Sequence, residues 1–159
     1  MITDPTTAAS SNATSYVHPD DVPFAELARP WGTTYMKLLH VDLVADRFTN
    51  IIRWPAGLRL PTHRHTGTVS AWTFEGAWRY LEYDWVATPG SYVFEPIGTV
   101  HTLQVEQDTL ALFITQGGFI YYGPDGEMTK YSDAASTLAD VTAALEAQGL
   151  ELPAGVVVS

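Results

Sequence analysis

The sequence contains no cysteine, few basic residues and no long apolar run. Without cysteine, disulfides, thiolate metal ligands and cysteine nucleophiles are all excluded. Only 8 residues are Lys or Arg against 18 Asp or Glu, so the formal charge is −10. We therefore expect no nucleic-acid partner and no membrane partner, since both kinds of surface need clustered basic side chains. No run reaches the roughly 18 apolar residues of a membrane-spanning helix, and no secretory signal is visible, so a cytoplasmic protein is expected.

Apolar residues are present in the proportion of a globular domain. They make up 46% of the 159 residues, enough to bury one hydrophobic core. Residues 1–22 are rich in Thr, Ser, Ala and Asp and show no apolar period, which predicts a flexible N-terminal arm. Residues 23–159 are predicted to form a single domain.

The first three quarters of this domain have the pattern of an all-β protein. Short apolar or alternating runs are broken by turn signals, Glu75-Gly76 and Pro89-Gly90 among them, as is typical of a sandwich or barrel. The predicted strands are Tyr35–Val44, Phe48–Trp54, Val69–Phe74, Ala77–Tyr83, Ser91–Glu95, Thr102–Val105, Thr109–Thr115 and Phe119–Tyr122.

One helix is predicted near the end of the chain. Leu138, Val141 and Leu145 recur at helical spacing, and Gly149 stands where a C-terminal cap belongs. We expect this helix to cover an open side of the β domain.

Three of the five histidines are organised as metal ligands would be. His63 and His65 are two residues apart, so on a strand they share one face. His101 follows 36 residues later, after a turn, and closes the site if the two segments adjoin. On these residues alone a second interpretation stays open, in which the first two histidines lie in a solvated loop and His101 is an ordinary core residue.

Two spaced motifs surround these histidines. The first spans Gly57–Gly76 and contains His63-Arg64-His65; the second spans Gly90–His101 and contains Pro96-Ile97-Gly98. Together they resemble the two motifs of the cupin superfamily, which implies a jelly-roll β-barrel with a metal inside its wide end. The sequence departs from the family pattern at Val69, where a glutamate ligand is usual, and at Val105, where asparagine is usual.

A closer resemblance concerns activity. Residues 76–87, 90–96 and 101–103 are similar to the 2,4'-dihydroxyacetophenone dioxygenases and, more loosely, to the acetylacetone-cleaving diketone dioxygenases. This resemblance implies a non-haem Fe(II) enzyme that cleaves a C–C bond next to a carbonyl in a small hydroxyketone or diketone, with O₂ as co-substrate. It also implies a homodimer or a homotetramer. Three neutral histidines would leave the full charge on the ion, which favours an anionic oxygen ligand such as an enolate.

Two other functions remain open at this stage. The same ligands bind zinc, nickel or manganese, so the protein would equally serve as a metal-dependent lyase, isomerase or hydrolase without O₂ chemistry. A non-catalytic cupin that binds a small molecule is the other alternative.

A fourth metal ligand is predicted from strand pairing. If Glu75-Gly76 forms a two-residue hairpin turn, Val69 pairs with Glu82 and the two residues share a face. Glu82 would then supply the carboxylate that the first motif lacks. A β-bulge at the turn would instead expose Glu82.

Further roles are predicted for Glu95, Tyr80 and Trp78. Glu95 matches a glutamate near the iron of the acetylacetone-cleaving enzymes and is a candidate catalytic residue, whereas Tyr80 and Trp78 are candidates for substrate binding. They belong to a set of aromatic residues that fits either an ordinary core or an apolar substrate cavity: Trp72, Phe74, Trp78, Tyr80, Phe94, Phe113 and Phe119.

Overall fold

The computed structural model describes residues 14–158, in which ten strands and one α-helix form a curled half-barrel. The all-β prediction with a C-terminal helix is therefore confirmed. The strands are β1 (Ala25–Arg29), β2 (Gly32–Asp42), β3 (Arg47–Trp54), β4 (Arg59–His65), β5 (Val69–Tyr80), β6 (Tyr92–Glu95), β7 (Val100–Gln116), β8 (Phe119–Tyr122), β9 (Met128–Ser132) and β10 (Val157–Val158).

The longest strand, β7, organises the barrel. One edge of β7 pairs with β5, while the other edge pairs first with β4 and then with β3. The order β1-β2-β3-β7-β4-β8-β9 describes the main path, β6 extends β5, and β10 adds to β2 in parallel. All other pairs are antiparallel. Because β7 pairs with β3, β4 and β5, it joins the two walls of the half-barrel.

The core follows the alternation of the strands. Inward positions of β2, β3, β5 and β7 are buried, whereas their neighbours along each strand are more exposed, as expected when one face of a sheet covers the core. The inward side chains include Leu38, Phe48, Ile52, Trp54, Trp78, Leu103, Val105 and Phe113. Trp54 and Phe113 meet edge to face, with ring centroids 5.3 Å apart.

Two predicted breaks lie inside continuous strands. β5 passes through Glu75-Gly76 without a hairpin turn, and β7 runs unbroken from Val100 to Gln116. The pairing of β5 with β7 absorbs Gly76 in a bulge: Glu75 lies opposite Leu110 and Ala77 opposite Gln107. The hairpin predicted at Glu75-Gly76 is therefore wrong. Gly76 has a positive φ, but it lies in a β-bulge of a continuous strand and not in a turn that reverses the chain.

The helix α1 (Ala134–Ala147) closes one side of the half-barrel, packing against β1 and β2. Asp133 caps its start, where its side chain accepts a hydrogen bond from the Ser136 amide (2.8 Å) and its own amide donates to the Ser136 hydroxyl (2.8 Å). The buried face contains Val141 and Leu145, and Gly149 takes φ +72° just beyond the end, as predicted.

Residues 1–13 of the predicted arm lie outside the described residues. Within the part described, Pro19–Asp21 form a 3-10 turn and Val22 is buried. No helix in residues 14–158 is long and apolar enough to cross a membrane.

Candidate metal centre

The two strands β4 and β7 bring the three histidines together. His63 and His65 lie at the end of β4, where alternation turns both inward and leaves Arg64 exposed. His101 is the second residue of β7 and is the direct cross-strand partner of His63. Strand geometry therefore places three imidazoles on one interior surface, as the sequence predicts.

The geometry of this cluster is compact. One ring nitrogen from each histidine lies within 4.8 Å of those of the other two, and all three residues are no more than 3% exposed. The Nε2 atoms of His65 and His101 are 2.9 Å apart. Two nitrogens about 2.1 Å from one ion and at a right angle would be about 3 Å apart, so this spacing fits ligands of a common ion.

Burial keeps the three histidines neutral. It lowers the pKa of His65 to about 3 and that of His101 to about 2, with neighbouring histidines adding to both shifts. Burial also lowers the pKa of His63, against the opposing effects of the Pro61 carbonyl and Glu82. Neutral imidazoles are the form that binds metals.

The tautomer of His63 is set by its backbone neighbour. Its Nδ1 is 2.9 Å from the carbonyl oxygen of Pro61, which can only accept, so Nδ1 carries the proton. The lone pair then lies on Nε2 and is free for a metal. The Nδ1 atoms of His65 and His101 are buried without a hydrogen-bond partner.

Glu95 stands beside the cluster at the end of β6. Its Oε2 lies 3.1 Å from Nε2 of His65 and 3.7 Å from Nε2 of His101, yet makes no aligned hydrogen bond. Its Oε1 accepts a hydrogen bond from the buried Tyr80 hydroxyl. Burial raises the pKa of Glu95 to about 7, although the bond from Tyr80 opposes this shift.

The structure brings Glu95, not Glu82, opposite Val69. Val69 of β5 pairs with Glu95 across the β5–β6 ladder. A carboxylate on the adjoining strand therefore lies next to the position at which the first motif usually has its glutamate. Glu82 follows the end of β5, is exposed, and accepts a hydrogen bond from the Thr102 amide (2.9 Å). The pairing predicted for Glu82 is wrong, and its carboxylate is outside the histidine group.

The two aromatic candidates occupy different positions. The Tyr80 ring stacks on His101, with centroids 3.5 Å apart and planes 9° apart, so it orients that imidazole while its hydroxyl holds Glu95. Trp78 is fully buried in the core and donates from Nε1 to the Thr73 hydroxyl (2.9 Å). Trp78 lines neither cavity described below, so its position does not support substrate binding; for Tyr80 that role stays a prediction.

A cavity of about 110 Å³ lies inside the half-barrel beside His63 and His65. Its walls are mostly apolar and include Leu103, Phe113 and Phe119, but several polar groups also face it. Asn50 Oδ1, Trp54 Nε1 and Thr115 Oγ1 in these walls are buried without a hydrogen-bond partner. A concave, apolar space with a few unpaired polar atoms is suited to a small organic ligand.

A second cavity of about 400 Å³ adjoins the cluster from the other side, where Glu95 and His101 line it. Tyr80 belongs to the walls of both cavities. Of the predicted cavity aromatics, Trp72, Phe74 and Phe94 instead lie 44–56% exposed on the outer face of β5 and β6. The sheet alternation turns them outward, so Trp72 and Phe74 belong neither to the core nor to the two cavities, whereas Phe94 lines the second cavity.

The donor set fits a divalent metal ion. It consists of three buried neutral imidazoles with convergent nitrogens and one buried carboxylate oxygen that lacks a hydrogen bond. Imidazole suits iron, zinc, copper and nickel, so the set does not by itself select among them. An ion here would pair with Glu95 Oε2, which is otherwise buried without a hydrogen-bond partner.

Several site residues give little signal in the sequence. Asn50, Thr115 and Arg29 are single polar residues in strands, and their inward direction depends on strand register. The alternation of β3 carries the only clue, because Asn50 falls in phase with the buried Phe48 and Ile52.

The curled sheet and its two histidine-bearing strands define a cupin. Residues 12–120 match the model of the ChrR cupin-like domain family, so the chain belongs to that family of the cupin superfamily. The match spans both motifs and all three histidines. A comparison with curated proteins finds no match.

Solved structures agree with this assignment. An RmlC-like cupin protein from Ralstonia eutropha is 29% identical with a TM-score of 0.82, covering 89% of this chain and 92% of that one. A second Ralstonia eutropha protein, of unknown function with a cupin-like fold, is 27% identical with the same TM-score, covering 92% and 93%. An acetylacetone dioxygenase from Acinetobacter johnsonii, 20% identical, covers 84% and 94% with a TM-score of 0.78 and shows a shared fold.

Proposed function

We propose that the protein is a mononuclear Fe(II) dioxygenase that cleaves a C–C bond next to a carbonyl in a small hydroxyketone or diketone. The observation that carries this proposal is the set of three buried neutral histidines at the wall of an apolar cavity. The fold shared with an acetylacetone dioxygenase and the resemblance to the dihydroxyacetophenone dioxygenases support the same chemistry.

The charge of the site favours an anionic ketone. His63, His65 and His101 would hold the metal through neutral nitrogens that offset none of its charge, and the single carboxylate of Glu95 beside them would offset only half of it. Bound there, Fe(II) would act as a Lewis acid that lowers the pKa of the enol and as the centre at which O₂ reacts. The three histidines would hold an ion that favours the enolate form of the ketone, and with both atoms of O₂ incorporated a hydroxyketone would leave as two carboxylic acids and a 1,3-diketone as one carboxylic acid and one dicarbonyl fragment.

Glu95 is the chain's proton acceptor in this proposal. Its Oε2 lies 3.1 Å from His65 Nε2, so a ketone held beside these ring nitrogens would have this carboxylate as a neighbouring base for the proton that it loses. Burial raises the pKa of Glu95 to about 7 in the metal-free chain, and an ion bound beside it would lower that pKa and hold the carboxylate ionised, the form that accepts a proton. Tyr80 positions this carboxyl group by donating to Oε1.

The cavity walls determine what can reach the cluster. Apolar side chains such as Leu103, Phe113 and Phe119 exclude bulk water and accommodate the carbon skeleton. Exclusion of water strengthens the attraction between the enolate and the ion, because the local dielectric constant falls.

Oxygen uptake tests this proposal. Metal-free protein is loaded with Fe(II) or with Zn(II), and an oxygen electrode follows a panel of 1,3-diketones and 2-hydroxyketones that includes acetylacetone. We expect uptake with Fe(II) only, and its loss in His101→Ala but not in His40→Ala, since His40 lies on β2 outside the cluster.

Two results would contradict the proposal. Uptake that persists in His101→Ala would place the reaction elsewhere. Absence of uptake with every ketone, together with anaerobic product formation by the Zn(II) protein, would favour a metal-dependent lyase or hydrolase.

A further inference from the structure

The interior cavity carries one cationic side chain whose role the proposed function leaves open. Arg29, the last residue of β1, is in phase with the inward-facing Ala25 and Leu27, and it lines the cavity together with His63 and His65. Its side chain is 22% exposed. In a chain with a formal charge of −10, a cation held against a ligand cavity needs a physical reason.

An ion pair with α1 explains only part of this arrangement. Arg29 Nη2 lies 2.8 Å from Asp140 Oδ2, and Lys130 Nζ lies 3.3 Å from the same oxygen. Two cations therefore share one carboxylate, so the cluster has a formal charge of +1. The pair with Asp140 engages Nη2, whereas a guanidinium carries five N–H donors.

Tyr121 lines the cavity together with Arg29 and lies beside the histidine cluster. The Tyr121 ring lies 5.6 Å from the His63 ring on one side and stacks on Trp31, 5.2 Å away, on the other. Burial raises the pKa of Tyr121 to about 12 against the opposing charge of Arg29, so the guanidinium acts on this side of the cavity. A small ligand held at the histidines would thus lie in the same cavity that Arg29 lines.

We propose that Arg29 binds a carboxylate of the substrate, so that the ketone cleaved here is an oxo acid rather than a neutral diketone. This inference rests on the proposed function for the other end of the molecule, the enolate at the metal. Arginine is suited to the role because its planar guanidinium pairs with a carboxylate through two parallel hydrogen bonds. The cavity would therefore recognise a short 2,4-dioxo acid or a similar hydroxyketo acid.

A matched pair of ligands isolates the carboxylate. Acetylacetone and 2,4-dioxopentanoate share a 1,3-diketone, and the second replaces one methyl group by a carboxylate. Their dissociation constants are measured anaerobically by calorimetry, on the Zn(II)-loaded full chain and on the metal-free chain. We expect 2,4-dioxopentanoate to bind at least about tenfold more tightly, since hydrogen bonds to a charged group contribute about 1.5–3 kcal/mol and each 1.4 kcal/mol is tenfold.

Three variants separate binding by Arg29 from its structural ion pair. Arg29→Gln should bring the affinity ratio close to one. Asp140→Asn breaks the same ion pair but leaves the guanidinium facing the cavity, so the ratio should stay the same or rise. Lys130→Gln removes a charge from the cluster at a residue that does not line the cavity, so the ratio should persist.

The outcomes distinguish this inference from the proposed function. A wild-type ratio near one, a ratio unchanged in Arg29→Gln, or an equal loss in Asp140→Asn would overturn the carboxylate site. If the ratio behaves as expected but no ketone or oxo acid drives oxygen uptake, the dioxygenase fails and the anion site stands. A melting curve for each variant shows whether a lost preference reflects unfolding.

Discussion

Replacing Gly76 by alanine should destabilise the barrel much more than the same change at Gly57. Both glycines belong to the first cupin motif and both adopt positive φ, +81° and +84°. A Cβ atom at Gly76 would lie 2.0 Å from the Asp108 carbonyl oxygen and 2.7 Å from the Thr109 Cα, whereas one at Gly57 would meet nothing within 4 Å. The two substitutions therefore differ mainly in the clash with β7.

The magnitude follows from two contributions. An L side chain at positive φ costs about 1–2 kcal/mol, and this applies to both positions. At Gly76 the clash is with backbone, which cannot rotate away, so β5 and β7 must shift, at about 1–3 kcal/mol more. For a chain of this size, that difference lowers the melting temperature of Gly76→Ala by roughly 2–12 °C relative to Gly57→Ala.

Thermal unfolding followed by circular dichroism measures this difference. The chains are kept metal-free with a chelator, so that ion binding does not mask the change in stability. Equal melting temperatures for the two variants would refute the reasoning, because they would mean that Gly76 lies in an open turn and that β5 does not continue through it.

Two further predictions concern the carboxyl groups and the protonation of the site. Glu95→Gln should weaken metal binding or change its pH dependence more than Glu82→Gln, because Glu95 Oε2 lies 3.1 Å from His65 Nε2 while Glu82 is exposed and bonded to the Thr102 amide; a larger effect at Glu82 in a metal titration would contradict this. The metal-free chain should lose stability to urea between pH 7 and pH 5, because His65 and His101 take up protons near pH 6.5 only when unfolded, their folded pKa values being about 3 and about 2. Glu95, whose pKa rises from 4.5 to about 7 on folding, adds stability as the pH falls over this range, but it is one group against three histidines. Unchanged or higher stability at pH 5 would refute the claim that the folded chain holds these histidines neutral.

Much of the site follows from local spacing. His63 and His65 need only the two-residue period of a strand to share a face, and the motif around His101 places it on the next wall. The helix is equally local, since its apolar period and Gly149 are visible in the sequence. These features depend on neighbours along the chain, which is why the sequence predicts them.

The parts that depend on strand register could not be predicted. Glu75-Gly76 has the composition of a tight turn, yet pairing with β7 along its length holds β5 extended and reduces the glycine to a bulge. Because β5 continues through Gly76 to Tyr80, Glu82 lies beyond the end of the strand, and Glu95 of β6 is the residue opposite Val69. The position of Arg29 at the cavity could not be predicted for a related reason, because its ion pair with Asp140 joins residues that are 111 positions apart in the sequence.

Metal stoichiometry tests the central claim most directly. Metal-free protein is titrated with Fe(II) under anaerobic conditions and with Zn(II), and bound metal is counted by elemental analysis after removal of the excess. The account predicts one ion per chain in the wild type and in His40→Ala, and nearly none in His65→Ala or His101→Ala, with unchanged circular dichroism. Full occupancy in His65→Ala would show that the three buried histidines do not form the site.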